Sequence, residues 1–273
     1  MSDALSFIDA YAFTFLLHFV ALVANIHFNP TVFLEGRFSS AAQSGYDVYF
    51  LIGQSNMVGR SVIRVGIDDD YSAILGRVFQ YGYNSQTVTA ATNPLDHVNE
   101  ITGHMGLWLE FVKIKLGLLP PHRKILLVPC AQGDTSFRNG NWNPGDPLYN
   151  AALARLAAAM TQGGGVNVLK EVLWLQGEGD SLSAAQYRAA IQAMYDHMVL
   201  NASGMTAETP FIVGSITSIL SGSAVINTAL QDFAASNDAV HFVDLSDLSF
   251  NADNIHYSAA ALHTAGQRYG AAA

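Results

Sequence analysis

The run Val48-Tyr49-Phe50-Leu51-Ile52-Gly53-Gln54-Ser55-Asn56-Met57-Val58-Gly59 decides how this chain is read. Residues 48–52 are uninterrupted apolar, with a β-branched residue at each end, and they stop at a glycine. An apolar run of that length, bounded by a turn residue, is the pattern of a strand buried on both faces, as in a parallel sheet. The polar set Gln54-Ser55-Asn56 then precedes a short apolar stretch closed by Gly59. A serine at this point, leaving a buried strand and entering a helix, has its hydroxyl facing the crevice beyond the strand end. Its backbone N–H lies at the positive end of the helix. The same position also suits an ordinary helix-capping serine.

Working outward, apolar strands alternate with amphipathic helices from Tyr46 onward. Strands are expected at 77–81, 124–128, 171–175, 210–214 and 240–245. Helices are expected at 106–116, 147–160, 184–200, 224–233 and 258–269. No internal repeat is visible. This alternation argues for an α/β domain with a central parallel sheet covered by helices on both faces. Ligands in such sheets bind beyond the carboxyl ends of the strands, and there the polar motifs lie. The strand at 124–128 leads to Gln132-Gly133-Asp134-Thr135-Ser136. The strand at 171–175 leads to Gln176-Gly177-Glu178-Gly179-Asp180. The last strand leads to Asp253-Asn254-Ile255-His256. Asp and His three residues apart can reach one site from one turn of chain, as proton relay from a serine requires. The glycines allow a backbone N–H to approach an oxyanion, and a Gln amide can donate to it. Polar turn chemistry, with Glu178 and Asp180 capping the next helix, reads the middle two motifs equally well.

Taken together and in order, Gly53-Gln54-Ser55-Asn56-Met57, Gln132-Gly133-x-Thr135-Ser136, Trp174-x-Gln176-Gly177-Glu178-x-Asp180 and Asp253-x-x-His256 resemble the SGNH hydrolases. Within them they are similar to the branch of sialate O-acetylesterases and acetylxylan esterases, carbohydrate esterase family 6 and its relatives. The resemblance spans about residues 46–270. It implies a three-layer, flavodoxin-like fold and a carbohydrate O-acetylesterase with Ser55 as nucleophile, His256 as base and Asp253 as its orienting acid. It assigns the oxyanion hole to the N–H of Ser55, the N–H of Gly133 and the side-chain amide of Gln176, with Glu178 supporting that loop. This branch often carries a second glycine where Asp134 stands; an acidic side chain there, beside the oxyanion hole, reads either as a substrate-binding residue that alters preference or as one that simply points to solvent. Trp142 reads either as a sugar-stacking platform or as a residue closing the core under its loop. The alternatives to this reading are an esterase for lipid or thioester acyl groups and a non-catalytic carbohydrate-binding or assembly module on the same fold.

Composition bounds the rest. Half of the 273 residues are apolar and 13% are charged, which is a folding composition. A net charge of −9, from 22 acidic and 13 basic residues, gives no electrostatic footprint for nucleic acid or for an anionic membrane. Cys130 stands alone in the sequence, so no intrachain disulfide forms, and it reads as a small buried hydrophobe. No cofactor is expected, and no metal: the histidines lack ligand spacing, and Asp68-Asp69-Asp70 reads as a solvated turn and not a calcium loop. Residues 1–44 form an apolar leader that reads as a signal segment or as a structural arm, with the esterase domain at 45–273. That leader tilts the expectation toward an extracytoplasmic protein. The sequence leaves the sugar and the oligomeric state open.

Overall fold

The computed structural model describes residues 44–217 and 220–273; the apolar leader, apart from Ser44, lies outside them. Seven strands form the main sheet in the order β4-β3-β6-β1-β7-β8-β9. They are β1 (Gly45–Gly53), β3 (Val78–Tyr81), β4 (Val88–Ala90), β6 (Arg123–Pro129), β7 (Val168–Leu175), β8 (Phe211–Gly214) and β9 (Val240–Val243). All neighbours are parallel except β4, which pairs antiparallel with β3 at one edge. The sheet is thus mostly parallel, as expected, with a hairpin strand added. Two further short strands, β2 (Ser61–Val62) and β5 (His104–Met105), pair with each other away from the main sheet.

The apolar run at 48–52 becomes the centre of β1, every residue of it buried. Successive side chains leave a strand on opposite faces, so each strand feeds two cores. Val48, Phe50 and Ile52 join one core with Leu126, Val128, Val172, Trp174 and Phe211. Tyr49 and Leu51 join the other with Ile125, Leu127, Leu173, Leu175 and Ile212. Helices α3 (Pro147–Ala159), α4 (Ala184–Asn201) and α5 (Ser223–Ala235) cover the first face. Helices α2 (Trp108–Leu118) and α6 (Ala259–Gly270) cover the second, and α2 packs closely on α6. These are the three layers. Each fully buried Leu, Ile, Val or Phe contributes roughly 1.5–3 kcal/mol relative to its exposed state, which is why the β1 centre holds the sheet together. Among the described residues no helix is long and apolar enough to cross a membrane.

Helix α1 (Ser55–Val58) follows β1 and is a single turn, ended by Gly59. A one-turn helix has too few aligned peptide dipoles for the strong positive end expected of it. Strand β9 ends at Val243, short of the expected 240–245, and Leu245 packs in the second core.

Candidate active site

Strands β6, β1 and β7 are adjacent, and the loops leaving their carboxyl ends meet at one crevice. The turn out of β1 is tight. Gln54 N donates to Leu175 O of β7 at 2.9 Å. Gly53 has φ +133°, and a Cβ there would lie 2.2 Å from that same carbonyl, so glycine is required. The turn delivers Ser55, 7% exposed, to the floor of the crevice.

The structure brings Asp253 and His256 to Ser55. His256 Nε2 lies 2.9 Å from Ser55 Oγ, and His256 Nδ1 lies 2.8 Å from Asp253 Oδ2. An ionised carboxylate only accepts, so Nδ1 carries the hydrogen and Nε2 is the free base facing the serine O–H. The other oxygen, Asp253 Oδ1, accepts from Ile255 N at 2.8 Å and His256 N at 2.9 Å. Partial burial alone would raise the Asp253 pKa, but these donors outweigh it and hold the carboxyl below its usual range.

Asn56, a residue of the Gly53–Met57 motif with no role assigned by the sequence, pins the histidine segment to the nucleophile turn. Its Nδ2 donates to Ile255 O at 3.1 Å and to Glu178 Oε1 at 2.5 Å. Its Oδ1 accepts from Tyr257 N at 3.0 Å. Both residues flanking His256 are therefore held by one side chain. Asn251 N donates to His256 O at 2.7 Å and Ser61 Oγ to Tyr257 O at 2.8 Å, closing the segment from the other side. Glu178 lines the crevice. Burial pushes its pKa up, against the Asn56 hydrogen bond, and its Oε2 is buried without a partner.

A cavity of about 360 Å³ opens over Ser55. Gln54, Gly133, Asp134, Glu178, Gly179, Ile255 and His256 line it together with Arg60 and Asn99. Arg60 and Asn99 come from the long segment between α1 and α2, where no motif drew attention to them. Asp134 lines the cavity, with φ +61°, a left-handed conformation that glycine adopts most easily and Asp tolerates.

Three expectations are corrected. Gln176 does not face the crevice. It is fully buried, its Nε2 donates to Asp180 Oδ2 at 2.7 Å and Thr135 O at 3.1 Å, and its Oε1 accepts from Tyr187 OH at 2.8 Å. Both amide hydrogens are used, so none remains for an oxyanion. Trp142 is no sugar platform: it is fully buried, stacked edge-on against Trp174 at 5.3 Å, with Nε1 donating to Thr135 Oγ1 at 3.0 Å. Asp68 is not solvated. It is buried and bound by Arg64 Nε at 2.9 Å and His263 Nε2 at 2.5 Å. A fourth point concerns Gly133, whose N–H donates to Asn99 Oδ1 at 2.9 Å and is thus engaged in this structure. Cys130 is buried as read. Among the described residues no three His, Cys, Asp or Glu side chains gather where they could hold a metal.

A mostly parallel three-layer sheet with these polar loops at the carboxyl ends of its central strands is the SGNH-like α/β architecture. Comparison with known proteins assigns the family. The chain belongs to the carbohydrate esterases described as sialic acid-specific acetylesterases, whose family model matches residues 45–273. It is accordingly an ester hydrolase, a carbohydrate acetylesterase. Similar solved structures include a protein from Arabidopsis thaliana, 24% identical, covering 82% of this chain and 95% of that one with a TM-score of 0.71. NanS is 17% identical with the same coverages and a TM-score of 0.69. A carbohydrate acetylesterase from Xanthomonas citri is 17% identical over 82% of this chain and 55% of its own, with a TM-score of 0.58. At these identities the likeness is one of fold. No curated protein matches the sequence.

Proposed function

We propose that the protein removes O-acetyl groups from an acetylated carbohydrate, polysaccharide or sialic acid, by a Ser-His-Asp acyl-enzyme mechanism. The observation that carries this reading is the unbroken relay Asp253 Oδ2, His256 Nδ1, His256 Nε2, Ser55 Oγ, with steps of 2.8 and 2.9 Å. Ser55 Oγ attacks the acetyl carbonyl carbon as its proton passes to His256 Nε2. Asp253 keeps the tautomer that leaves Nε2 free and stabilises the imidazolium. Collapse of the tetrahedral intermediate breaks the bond to the sugar oxygen, which takes the proton from His256. Water then hydrolyses the acetyl-Ser55 ester by the same roles in reverse. The polar side chains among the cavity's lining, Arg60, Asn99 and Asp134, suit a hydroxylated substrate, and no step calls for a cofactor.

The test is acetate release across acetylated polysaccharides and acetylated sialic acids, with Ser55→Ala as control and a serine-reactive phosphonate as label. The expected result is turnover lost in Ser55→Ala and one adduct, on Ser55. Full activity in Ser55→Ala, or labelling elsewhere, refutes the mechanism. Preference for long-chain nitrophenyl esters over acetate points to the lipid or thioester alternative. Binding of sugar without any turnover points to the non-catalytic one.

A further inference from the structure

The nucleophile's surroundings hold a space that only a glycine leaves open. A Cβ placed on Gly133 would sit 3.4 Å from Ser55 Cβ, 2.8 Å from Arg60 Nη2 and 3.5 Å from Asn99 Nδ2. The φ of Gly133 is not positive, so this glycine answers to space and not to backbone strain. Two side-chain nitrogens, one of the Arg60 guanidinium and one of the Asn99 amide, thus converge beside the serine on a volume of one methyl group.

The orientation of both groups is set by their own hydrogen bonds. Gly133 N donates to Asn99 Oδ1 at 2.9 Å, and Arg60 Nη2 lies 3.4 Å from the same oxygen. Donors on Oδ1 leave the amide nitrogen as the end of Asn99 that faces the open space. The Arg60 guanidinium is held through Nη1 by Gly59 O at 3.2 Å and through Nη2 by Asn99 O at 3.1 Å and Asn99 Oδ1 at 3.4 Å, so at the open space it offers its positive charge and not a free Nη2 hydrogen. Among the described residues it forms no ion pair within 4 Å, so its charge is not neutralised by direct contact with a carboxylate. Gln176, which would otherwise be sought for this task, has spent both amide hydrogens on Asp180 and Thr135.

We propose that Arg60, through its positive charge, and Asn99, through its amide N–H, stabilise the oxyanion of this enzyme in the space that Gly133 leaves vacant. The proposal rests on the esterase reading above. When Ser55 Oγ bonds to the acetyl carbon, the carbonyl π pair moves onto oxygen and the serine proton moves to His256 Nε2. The new oxyanion meets a full positive charge and an amide N–H that were in place beforehand. Such groups act on charge that develops only in the transition state, so they raise kcat more than they tighten substrate binding. Arg60 would also offset the acidic Asp134 in the same cavity wall.

The experiment uses 4-nitrophenyl acetate, a small neutral ester with no carboxylate for Arg60 to recognise. Arg60→Gln and Asn99→Ala should each lower kcat by about a hundredfold, the loss typical of one oxyanion donor, with KM changed by less than about threefold. Arg60→Lys should recover part of that loss. Gly133→Ala tests the space itself: its methyl group meets only the flexible end of Arg60 closely, so the variant should keep its melting temperature and lose kcat to a similar degree. A boronic acid, which becomes a tetrahedral anion on Ser55 Oγ, should bind more weakly to each variant by a factor close to its loss in kcat. If Arg60→Gln and Gly133→Ala both stay within about threefold of wild type in kcat and in boronate affinity, the assignment is overturned. It is overturned equally if Arg60→Gln harms only the hydrolysis of acidic sugar esters, which would make Arg60 a substrate-carboxylate ligand. Wild-type hydrolysis that is absent or independent of Ser55 removes the esterase reading, and the oxyanion assignment with it. Ser55-dependent hydrolysis untouched in these variants removes the oxyanion assignment alone.

Discussion

Replacing Gln176 by alanine should destabilise the protein while sparing the chemistry. The side chain is fully buried and makes three short hydrogen bonds, to Asp180 Oδ2, Thr135 O and Tyr187 OH. Tyr187 OH keeps a second acceptor, the Gln176 carbonyl at 2.9 Å, and Asp180 keeps the N–H groups of Phe137 and Arg138. What remains is a buried Thr135 carbonyl without its donor, a weakened carboxylate and a small void. An orphaned neutral acceptor costs about 1–3 kcal/mol and a lost bond to a charged group about 1.5–3 kcal/mol. The total is about 4 kcal/mol, which for a domain of this size lowers Tm by roughly 8–16 °C. Gln176→Glu should be worse, because it sets a second carboxylate against Asp180. Differential scanning calorimetry and kcat per titrated active site, measured on one preparation below the transition, check this. A Tm within about 2 °C of wild type, together with a kcat loss above about a hundredfold, would show that Gln176 serves the oxyanion after all and refute the reasoning.

Three further outcomes follow from the same geometry. Asn56→Ala frees both neighbours of His256 and leaves Glu178 without its hydrogen bond, so kcat should fall at least tenfold with lower Tm, whereas loss of Tm alone would show that the histidine loop is held without Asn56. Asp253→Asn removes the charge that sets the imidazole tautomer and should lower kcat by roughly 10²–10⁴; because the wild-type carboxyl is held below its usual range, the acid limb of kcat/KM should follow a single ionisation, and a slope of two would contradict that. Full burial drives the His97 pKa down to about 3, with Nδ1 accepting from Ala131 N at 3.0 Å; its folded value lies below its unfolded one, so the stability this provides is present above about pH 6.5 and is lost as pH falls toward 3. The stability advantage of wild type over His97→Gln in urea titrations should therefore shrink from pH 7 to pH 4, and parallel curves would show that His97 is not held neutral.

The strand run at 48–52 and the β/α alternation were legible in the sequence because each depends on local pattern, while Ser55, Asp253 and His256 stood out as candidates through their place at strand ends together with the family resemblance. An apolar run of that length can only be buried, and residues at successive strand ends of a parallel sheet share one crevice whatever their separation in the chain. Ser55 and His256 could thus be paired across 201 residues. The direction in which a polar side chain points is a different matter. Gln176 and Glu178 follow the same strand, yet one turns into the sheet to serve Asp180 and the other lines the cavity. Trp142 suited either a platform or a core position, and its burial was decided by contacts with Trp174, remote in the sequence, and Thr135, which meet it only once the chain is folded. Asn99 and Arg60 carry no motif, because their meeting beside Gly133 is made by a loop without periodicity and by hydrogen bonds spanning 34 and 39 residues. Periodicity encodes which face is buried; which donor reaches the reacting atoms is set by packing among segments distant in sequence, and that only the tertiary structure decides.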